Sequence, residues 1–514
     1  MIARQKKLLL NLRHPERVTN IIPTSGTINY KGRTITVVPH RTAECRLLRN
    51  LEFDPPDPID AYYDWPIREG WKPYDHQKVT ARFLTRHSRA YCLNDMGTMK
   101  SLSALWAYDF LRQEGSVSKA LIVAPLSTIE RTWADEIFFN LPHLKYVVLH
   151  GSRKKRIELL ESDADVYIIN HDGVKVILKE LCAKPFDLVL IDELSQAARN
   201  AGTERWKAYH ALTRGRGFVW GMTGTPVPNE PTDAWAQCRL ITPETVPPFF
   251  SRFRDKTMRQ VTPFKWAPTP DAMQIVYDAM QPAVRYSRDE CVTLPPTVYE
   301  TREAALTATQ QAMYTEMFDQ LRTEFKGQEV NAVNEGVKAM KLVQIASGAV
   351  RGEDESIILC PPKHRMLALR EIIEEASSKV IIFSPFRAAL DQIVDIFSKG
   401  YSIGVIHGGV SKTQRDEVFT GFQKGDKYQL LVAQPAAMSH GLTLTAASVI
   451  VWFAPVTSAE TYEQANARIT RPGQKHSQLI VNLQSTALER SMYARLKAKT
   501  NMQGILLDMF GKKG

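Results

Sequence analysis

Short runs of four or five apolar residues, rich in β-branched and aromatic side chains, recur in two separate stretches of this chain. Residues 121–125 (LIVAP), 166–170 (VYIIN), 188–192 (LVLID) and 218–222 (FVWGM) form one set. Residues 380–383 (VIIF), 403–406 (IGVI), 430–433 (LLVA), 449–453 (VIVWF) and 479–483 (LIVNL) form the other. None alternates apolar with polar, so each reads as a strand buried on both faces of a sheet. Amphipathic stretches such as 100–112 and 417–424 lie between them, and strand–helix–strand repeats of this kind predict parallel sheets. The long gap between the sets predicts two α/β domains rather than one long sheet.

The segment between the sets has a different texture. Residues 243–296 are rich in Pro and charge (TPETVPPFFSRFRDK, TPFKWAPTPD, TLPPT), and residues 307–350 read as mostly helical. Near the start, residues 26–38 suggest a hairpin turning at Lys31-Gly32, followed by a linker-like FDPPDPID stretch. The expected organisation is therefore an accessory N-terminal arm or small β-containing domain with its linker (1–69) and a first α/β domain (70–245). A helical insertion and connector (246–360), a second α/β domain (361–490) and a C-terminal helix or tail (491–514) follow.

Composition narrows the class. The 514 residues carry a formal net charge of +11, which favours an acidic partner, nucleic acid above all. Six cysteines without a CxxC pair argue against a disulfide framework or a zinc site and fit a reducing cytoplasm. The basic N-terminus contains only three consecutive leucines and does not read as a signal peptide. No apolar run approaches a membrane span.

Four places carry chemistry. Residues 94–101 (NDMGTMKS) lie between an apolar strand end and a helix starting near Lys100. A loop there turns backbone N–H groups and a helix N-terminus toward an anion, with Lys100 on phosphates and Ser101 on a metal ion. An ordinary loop before a helix has the same composition, and Asn94 and Met99 stand where a phosphate loop has glycines. Asp192 and Glu193 end the apolar run 188–191, and two carboxylates at a buried strand tip require a cation to offset their desolvation. One can hold Mg²⁺ while the other orients and deprotonates a water. Residues 221–226 (GMTGTP) leave a strand with small hydroxyl side chains, as an ordinary Gly/Pro turn also would. Finally, Gln464, Arg468 and Arg471 are spaced to share one face of a helix. Two guanidiniums and an amide there suit a polyanion.

Taken in order, these pieces resemble superfamily-two helicases, and within them the Swi/Snf-like branch of DNA translocases, including compact bacteriophage versions. Residues 71–77 (WKPYDHQ) resemble the adenine-reading Q motif, 94–101 motif one, 124–127 followed by Trp133 motif one-a, 192–193 motif two and 223–226 motif three. Residues 294–296 and 342–348 are similar to connector elements of that branch; 405–409, 441–446 and 464–474 match motifs of the second domain. Met99 departs from the pattern, and motif two reads Asp-Glu-Leu-Ser.

The resemblance implies an α/β fold of two tandem RecA-like domains with ATP and Mg²⁺ between them. It implies that Tyr74 and Gln77 bind the nucleotide with Met96, Gly97, Thr98, Met99, Lys100, Ser101 and Gly441. Ser101 and Asp192 would serve the metal, Glu193 would activate water, and Arg468 and Arg471 would act as arginine fingers with Gln464 coupling closure to hydrolysis. Ser127, Thr128, Asn170, His171, Ser384, Arg387, His407 and Thr443 would contact DNA, by motif position. The implied protein is a cytoplasmic, monomeric motor on duplex or branched DNA, reading no sequence, with protein recruiters as further partners. Two rivals stand beside it: an RNA-dependent or strand-separating helicase of the same superfamily, and a non-hydrolysing DNA-binding scaffold.

Overall fold

The computed structural model describes residues 2–4, 6–262, 265–291, 294–325, 332–351, 356–438, 443–471 and 473–511. The chain forms two compact units, Met1–Cys291 with Ile505–Gly514, and Val292–Gly504.

The first unit is built on a seven-stranded, all-parallel sheet. Its strand order is Ala283–Val284, Arg89–Cys92, Phe218–Met222, Leu188–Ile191, Ala120–Ala124, Val166–Asn170 and Tyr146–Val148. Successive side chains of a strand point to opposite faces, and the core divides accordingly. Leu121, Val123, Val189 and Ile191 pack on one side, while Ile122, Leu188 and Leu190 pack with Trp106 and Trp133 on the other. Both faces are covered, which is why these strands show no polar alternation.

The second unit repeats the design with six parallel strands. Their order is Thr297–Glu303, Gln478–Gln484, Ala447–Trp452, Lys379–Phe383, Leu430–Ala433 and Ile403–Ile406. Ile381 and Phe383 face one core cluster, Val380 and Ile382 the other.

The span 246–360, expected as a helical insertion and connector, is divided between the two units. It contributes helices Phe250–Thr257, Ala272–Ala279, Ala308–Phe325 and Ala332–Ala346. It also adds an edge strand to each large sheet, Ala283–Val284 to the first and Thr297–Glu303 to the second. An edge strand keeps polar side chains in water, so TVYETRE carries no apolar run to announce it.

The N-terminal segment is a four-stranded antiparallel sheet in the order Ile2–Arg4, Lys7–Leu10, Arg33–Pro39, Gly26–Tyr30. Its hairpin turns at Lys31 and Gly32, both at positive φ, as a two-residue turn matched to strand twist requires. Helix Thr42–Asn50 packs on one face, with Leu8, Leu10, Val38, Cys45 and Leu48 in the core. The Asp/Pro-rich stretch behind it is pinned in place. Asp57 is buried, accepts from Arg49 Nη2 at 2.8 Å and Arg86 Nε at 2.8 Å, and is followed by helix Pro58–Tyr62.

In the second unit a buried ion pair ties helix Lys363–Glu375 to helix Ala487–Gly511. Arg365 Nη2 donates to both carboxylate oxygens of Glu489 (2.8 and 2.9 Å), and Nη1 donates to the Phe453 carbonyl at 2.7 Å. Removing one member strands the other charge in the interior. Glu489→Ala should lower unfolding free energy by about 3–5 kcal/mol, read from urea unfolding followed by circular dichroism.

Candidate active site

Because the first sheet is parallel, the loops leaving Arg89–Cys92, Phe218–Met222, Leu188–Ile191, Ala120–Ala124 and Val166–Asn170 all emerge at its carboxyl edge. The loop 93–99, Asp192-Glu193, Thr223-Gly224-Thr225, Ser127-Thr128 and His171 therefore collect along one rim, where open α/β sheets bind ligands.

The loop 93–99 leads into helix Lys100–Gln113. Gly97 has φ 88°, and Met99, the residue before the helix, has φ 55° and ψ 37°. That left-handed conformation is the one glycine adopts without strain, so Met99 occupies a place whose backbone suits the residue expected there. Asn94, the other departure, does a different job. It is fully buried, its Nδ2 donates to Thr80 Oγ1 at 2.9 Å and its Oδ1 accepts the Tyr286 N–H at 2.9 Å. Asp95 bonds Arg285 at 2.8 Å and the Arg288 N–H at 2.9 Å. His76 Nε2 meets the Thr98 carbonyl at 3.0 Å, and Thr98 Oγ1 donates to the Asp95 carbonyl at 2.8 Å. Burial lowers the His76 pKa, against the opposing pull of the Thr98 bond. The loop is thus braced from both flanks, and Gly224 lies against its backbone, where a Cβ would sit 3.5 Å from the Asn94 carbonyl oxygen.

Lys100 is 8% exposed, and its Nζ has no hydrogen-bond partner among the described residues. A buried ammonium left so is costly without an anion to meet it. Gln77 is fully buried; its Oε1 accepts the Tyr74 N–H at 3.0 Å, and its Nε2 also has no partner among the described residues. Tyr74 is exposed and stacks on His76 at 5.5 Å. Met96 and Gly97 are half-buried in the loop, and Ser101, half-buried, begins the helix beside Lys100.

Asp192 and Glu193 are 5% and 9% exposed, and Glu193 has φ 48°. Trp133 Nε1 donates to Asp192 Oδ2 at 3.0 Å, and the Glu193 N–H donates to Oδ1 at 3.0 Å. Trp133 lies in a single stretch of π-helix, Ile129–Ala134, a local irregularity common at functional sites. Burial, followed by the charge of Glu193, pushes the Asp192 pKa up to about 6, against the opposing pull of Lys100 and the Trp133 bond. Ser195 Oγ meets Thr223 Oγ1 at 2.9 Å, linking the segment after the carboxylates to the Thr-Gly-Thr turn. Lys100 and Gln77 supply unengaged donors for a polyphosphate and a base, and the Asp192 carboxylate and Ser101 hydroxyl supply hard oxygen donors suited to Mg²⁺. The residues fit a nucleotide and its metal.

In the second unit the expected single helical face is not what forms. Helix Ala459–Asn466 carries Gln464, whose Nε2 donates to Glu460 at 3.3 Å, but it ends before Arg468 and Arg471. The Arg468 carbonyl is taken by the Leu444 N–H at 3.0 Å. Gln474 Nε2 donates to the Ile469 carbonyl at 3.1 Å and to the Ala447 carbonyl at 2.8 Å. Trp452 Nε1 bonds the Asn466 side chain at 2.9 Å. These partners draw the backbone out of the helical ladder into turns. Arg468 is buried there, and Arg471 Nε donates to the Ala467 carbonyl at 3.2 Å. Gly441 lies outside the described residues.

The eight residues expected at DNA divide by exposure. Arg387 and Thr443 are exposed, and Ser127 and His407 half-exposed. Thr128, Asn170, His171 and Ser384 are buried and already bonded, to the Pro125 carbonyl (3.0 Å), Arg156 Nη1 (3.1 Å), the Tyr209 hydroxyl (2.7 Å) and the Phe386 N–H (3.2 Å) respectively. Their side chains bond within their own unit rather than face solvent. His76 and Arg285 are residues that motif reading passed over, Asn94 it read only as a departure from the phosphate-loop pattern, and the apolar flanks of the loop gave no signal of their bonds.

Residues 76–354 match the family of SNF2-related domains, and residues 364–473 match the helicase conserved C-terminal domain. The chain is 25% identical over 472 residues to putative protein p41 of Acyrthosiphon pisum secondary endosymbiont phage 1, covering 86% of this chain and 99% of that one. It is 24% identical over 415 residues to the SWI/SNF-related matrix-associated actin-dependent regulator of chromatin subfamily A-like protein 1 of Xenopus laevis, covering 77% of this chain but 40% of that one. An uncharacterized ATP-dependent helicase of Mycoplasma pneumoniae is 24% identical over 74% of this chain and 36% of its own length. The chain thus spans well under half the length of these two cellular relatives. The SWI2/SNF2 ATPase core of Sulfolobus solfataricus, solved with dsDNA, aligns at 22% identity over 87% of this chain and 95% of that one, with a TM-score of 0.42. The chain belongs to the SNF2-related family and is an ATPase of the helicase class. Among the described residues no helix is long and apolar enough to cross a membrane.

The left-handed Met99 gives a direct test of the loop. Met99→Gly relieves about 1–2 kcal/mol of backbone strain and gives back about 0.5–1 kcal/mol of chain entropy. Stability should rise by up to about 1 kcal/mol in urea unfolding, with phosphate release equal to or above that of the parent chain.

Proposed function

We propose that this chain is an ATP-driven translocase on duplex or branched DNA, with the nucleotide held at the loop 93–99 and hydrolysis completed by arginines of the second unit. The observation that carries this reading is the buried Lys100 ammonium, without a hydrogen-bond partner among the described residues, at the start of a helix and within the electrostatic reach of Asp192. Lys100 and the backbone N–H groups of the loop hold the β- and γ-phosphates. Gln77 and Tyr74 receive the adenine. Mg²⁺, when bound, neutralises charge developing on the transferred phosphoryl group. Ser101 and Asp192 would hold that ion, and the Trp133 indole fixes the orientation of the Asp192 carboxylate. Glu193 orients the attacking water and takes its proton. Arg468 and Arg471 stabilise the transition state, Gln464 couples their approach to turnover, and Gly441 contributes by its motif position.

DNA as the track is supported by the +11 net charge and by the chromatin regulator and helicases among the relatives. Ser127, Arg387, His407 and Thr443, the exposed or half-exposed members of the expected set, are the proposed contacts, touching backbone rather than bases. A cytoplasmic monomer working with protein recruiters agrees with this reading.

Two variants test it. Lys100→Ala should abolish DNA-stimulated phosphate release while leaving the fold intact by circular dichroism; parent-level activity would refute the site. Arg471→Ala should cut turnover by roughly 10³–10⁵ while binding of a fluorescent nucleotide and of DNA stays near normal. A variant that instead lost DNA affinity and kept its basal hydrolysis would assign the arginine to the track.

A further inference from the structure

The chain's charge is distributed unevenly. Among the first 50 residues stand ten Lys and Arg against two Glu, a balance of +8 out of the whole chain's +11. Of the two glutamates, Glu44 is buried and accepts from Thr24 Oγ1 at 3.0 Å, while Glu16 is exposed and bonded to His14 at 3.0 Å, away from the strands of the sheet. Two of the cations turn inward. Arg46 lies over the Phe218 ring at 5.0 Å, and Arg49 bonds Asp57. Lys6, Lys7, Lys31, Arg33 and Arg41 are all exposed.

Strand register shows where they stand. With Leu8, Leu10, Thr36 and Val38 turned into the core, alternation sends Lys7, Arg33, Ile35 and Val37 to the opposite face. Ile28 pairs with Ile35, and Tyr30 with Arg33, on that same outer face. Edge strand Gly26–Tyr30 is exposed at all five positions; Tyr30 is 59% exposed, with Lys31 Nζ 5.6 Å from its ring. At the other end the face runs into a recess of about 650 Å³ lined by Lys6, Lys7, His40, Arg41 and Tyr62. Its single carboxylate, Glu114, is occupied, both oxygens accepting the Thr42 N–H at 3.2 Å.

We propose that this outer sheet face is a second nucleic-acid-binding surface, separate from the motor's rim, which grips DNA phosphates through Lys7, Lys31, Arg33 and Arg41 and stacks an unpaired base on Tyr30. It rests on the reading that the motor works on DNA. Cations at both ends and no carboxylate on the face complement a polyanion, and an exposed tyrosine flanked by Lys and Arg is the combination that holds single strands. The surface therefore favours DNA in which a duplex adjoins unpaired bases.

The test uses the full chain carrying Lys7→Ala, Lys31→Asn and Arg33→Ala together, with Asn chosen because Lys31 sits at positive φ, and separately Tyr30→Ala. Fluorescence anisotropy of a labelled duplex with a single-stranded tail, and of the blunt duplex, is followed across a salt series without nucleotide. The triple variant should bind on the order of tenfold more weakly, and the slope of log K against log salt should become shallower by about 2, roughly 0.7–0.9 for each phosphate no longer neutralised. Tyr30→Ala should weaken the tailed substrate more than the blunt one. DNA-free ATPase and turnover at saturating DNA should match the parent chain, with only the DNA concentration needed for half-stimulation raised. Parent-level affinity and slope in the triple variant would overturn the proposal and leave the motor standing. A parent chain that bound no DNA at all would remove the motor reading itself.

Discussion

Everything at the first unit's rim depends on keeping charge buried without neutralising it. Asp192 sits at the tip of a strand covered on both faces, where desolvation alone would drive the carboxyl to its neutral form. The Trp133 indole, the Glu193 N–H and the nearby Lys100 work against that. The indole comes from a stretch of π-helix, Ile129–Ala134. Lys100 Nζ in turn has no hydrogen-bond partner among the described residues, beside a loop braced through Asn94, Asp95 and Thr98. A helix N-terminus, an ammonium and two carboxylates are stable together only while the parallel sheet and its flanking bonds hold the geometry. Stability and chemistry therefore draw on the same residues.

Much of this was legible in the residue pattern. Strands buried on both faces need apolar side chains at every position, so the inner strands of both sheets stood out as unbroken runs, and the motifs could be placed at their ends. What escaped detection obeys a different rule. Thr297–Glu303 and Ala283–Val284 are edge strands, with too little apolar surface to form a run. The end of the helix at Asn466 was missed because local spacing over 464–471 satisfies a helix. What competes with it comes from elsewhere in the chain: Leu444 and Gln474 donate to the Arg468 and Ile469 carbonyls. Asn94 looked like a defect in a phosphate loop, whereas its two hydrogen bonds show a brace replacing the flexibility of glycine by fixed contacts.

The same reasoning separates the polar residues of the rim. A hydroxyl or imidazole near a strand tip can face a track or hold the loops that do, and the sequence alone cannot tell these apart. Burial can. Thr128, Asn170, His171 and Ser384 spend their hydrogen bonds on neighbours inside the fold, so a substitution there would disturb loop position before it touched any partner. Arg387 and Thr443 have no such commitment in the interior.

The division of charge follows from these demands. An ATPase core whose strands are buried on both faces has little room for surplus cations, and Lys100, Arg468 and Arg471 are buried or committed to local bonds. Net positive charge must then collect where no catalytic geometry can be disturbed, and a small antiparallel sheet with one open face provides such a place. Its core needs only a few side chains, Leu8, Leu10, Val38, Cys45 and Leu48 among them, which frees its outer positions for lysine, arginine and tyrosine. An electrostatic grip placed there can strengthen with falling salt, and none of Lys7, Lys31, Arg33 and Arg41 is among the groups that act on Asp192. Affinity for a polyanion and the chemistry of hydrolysis can thus vary independently in one chain.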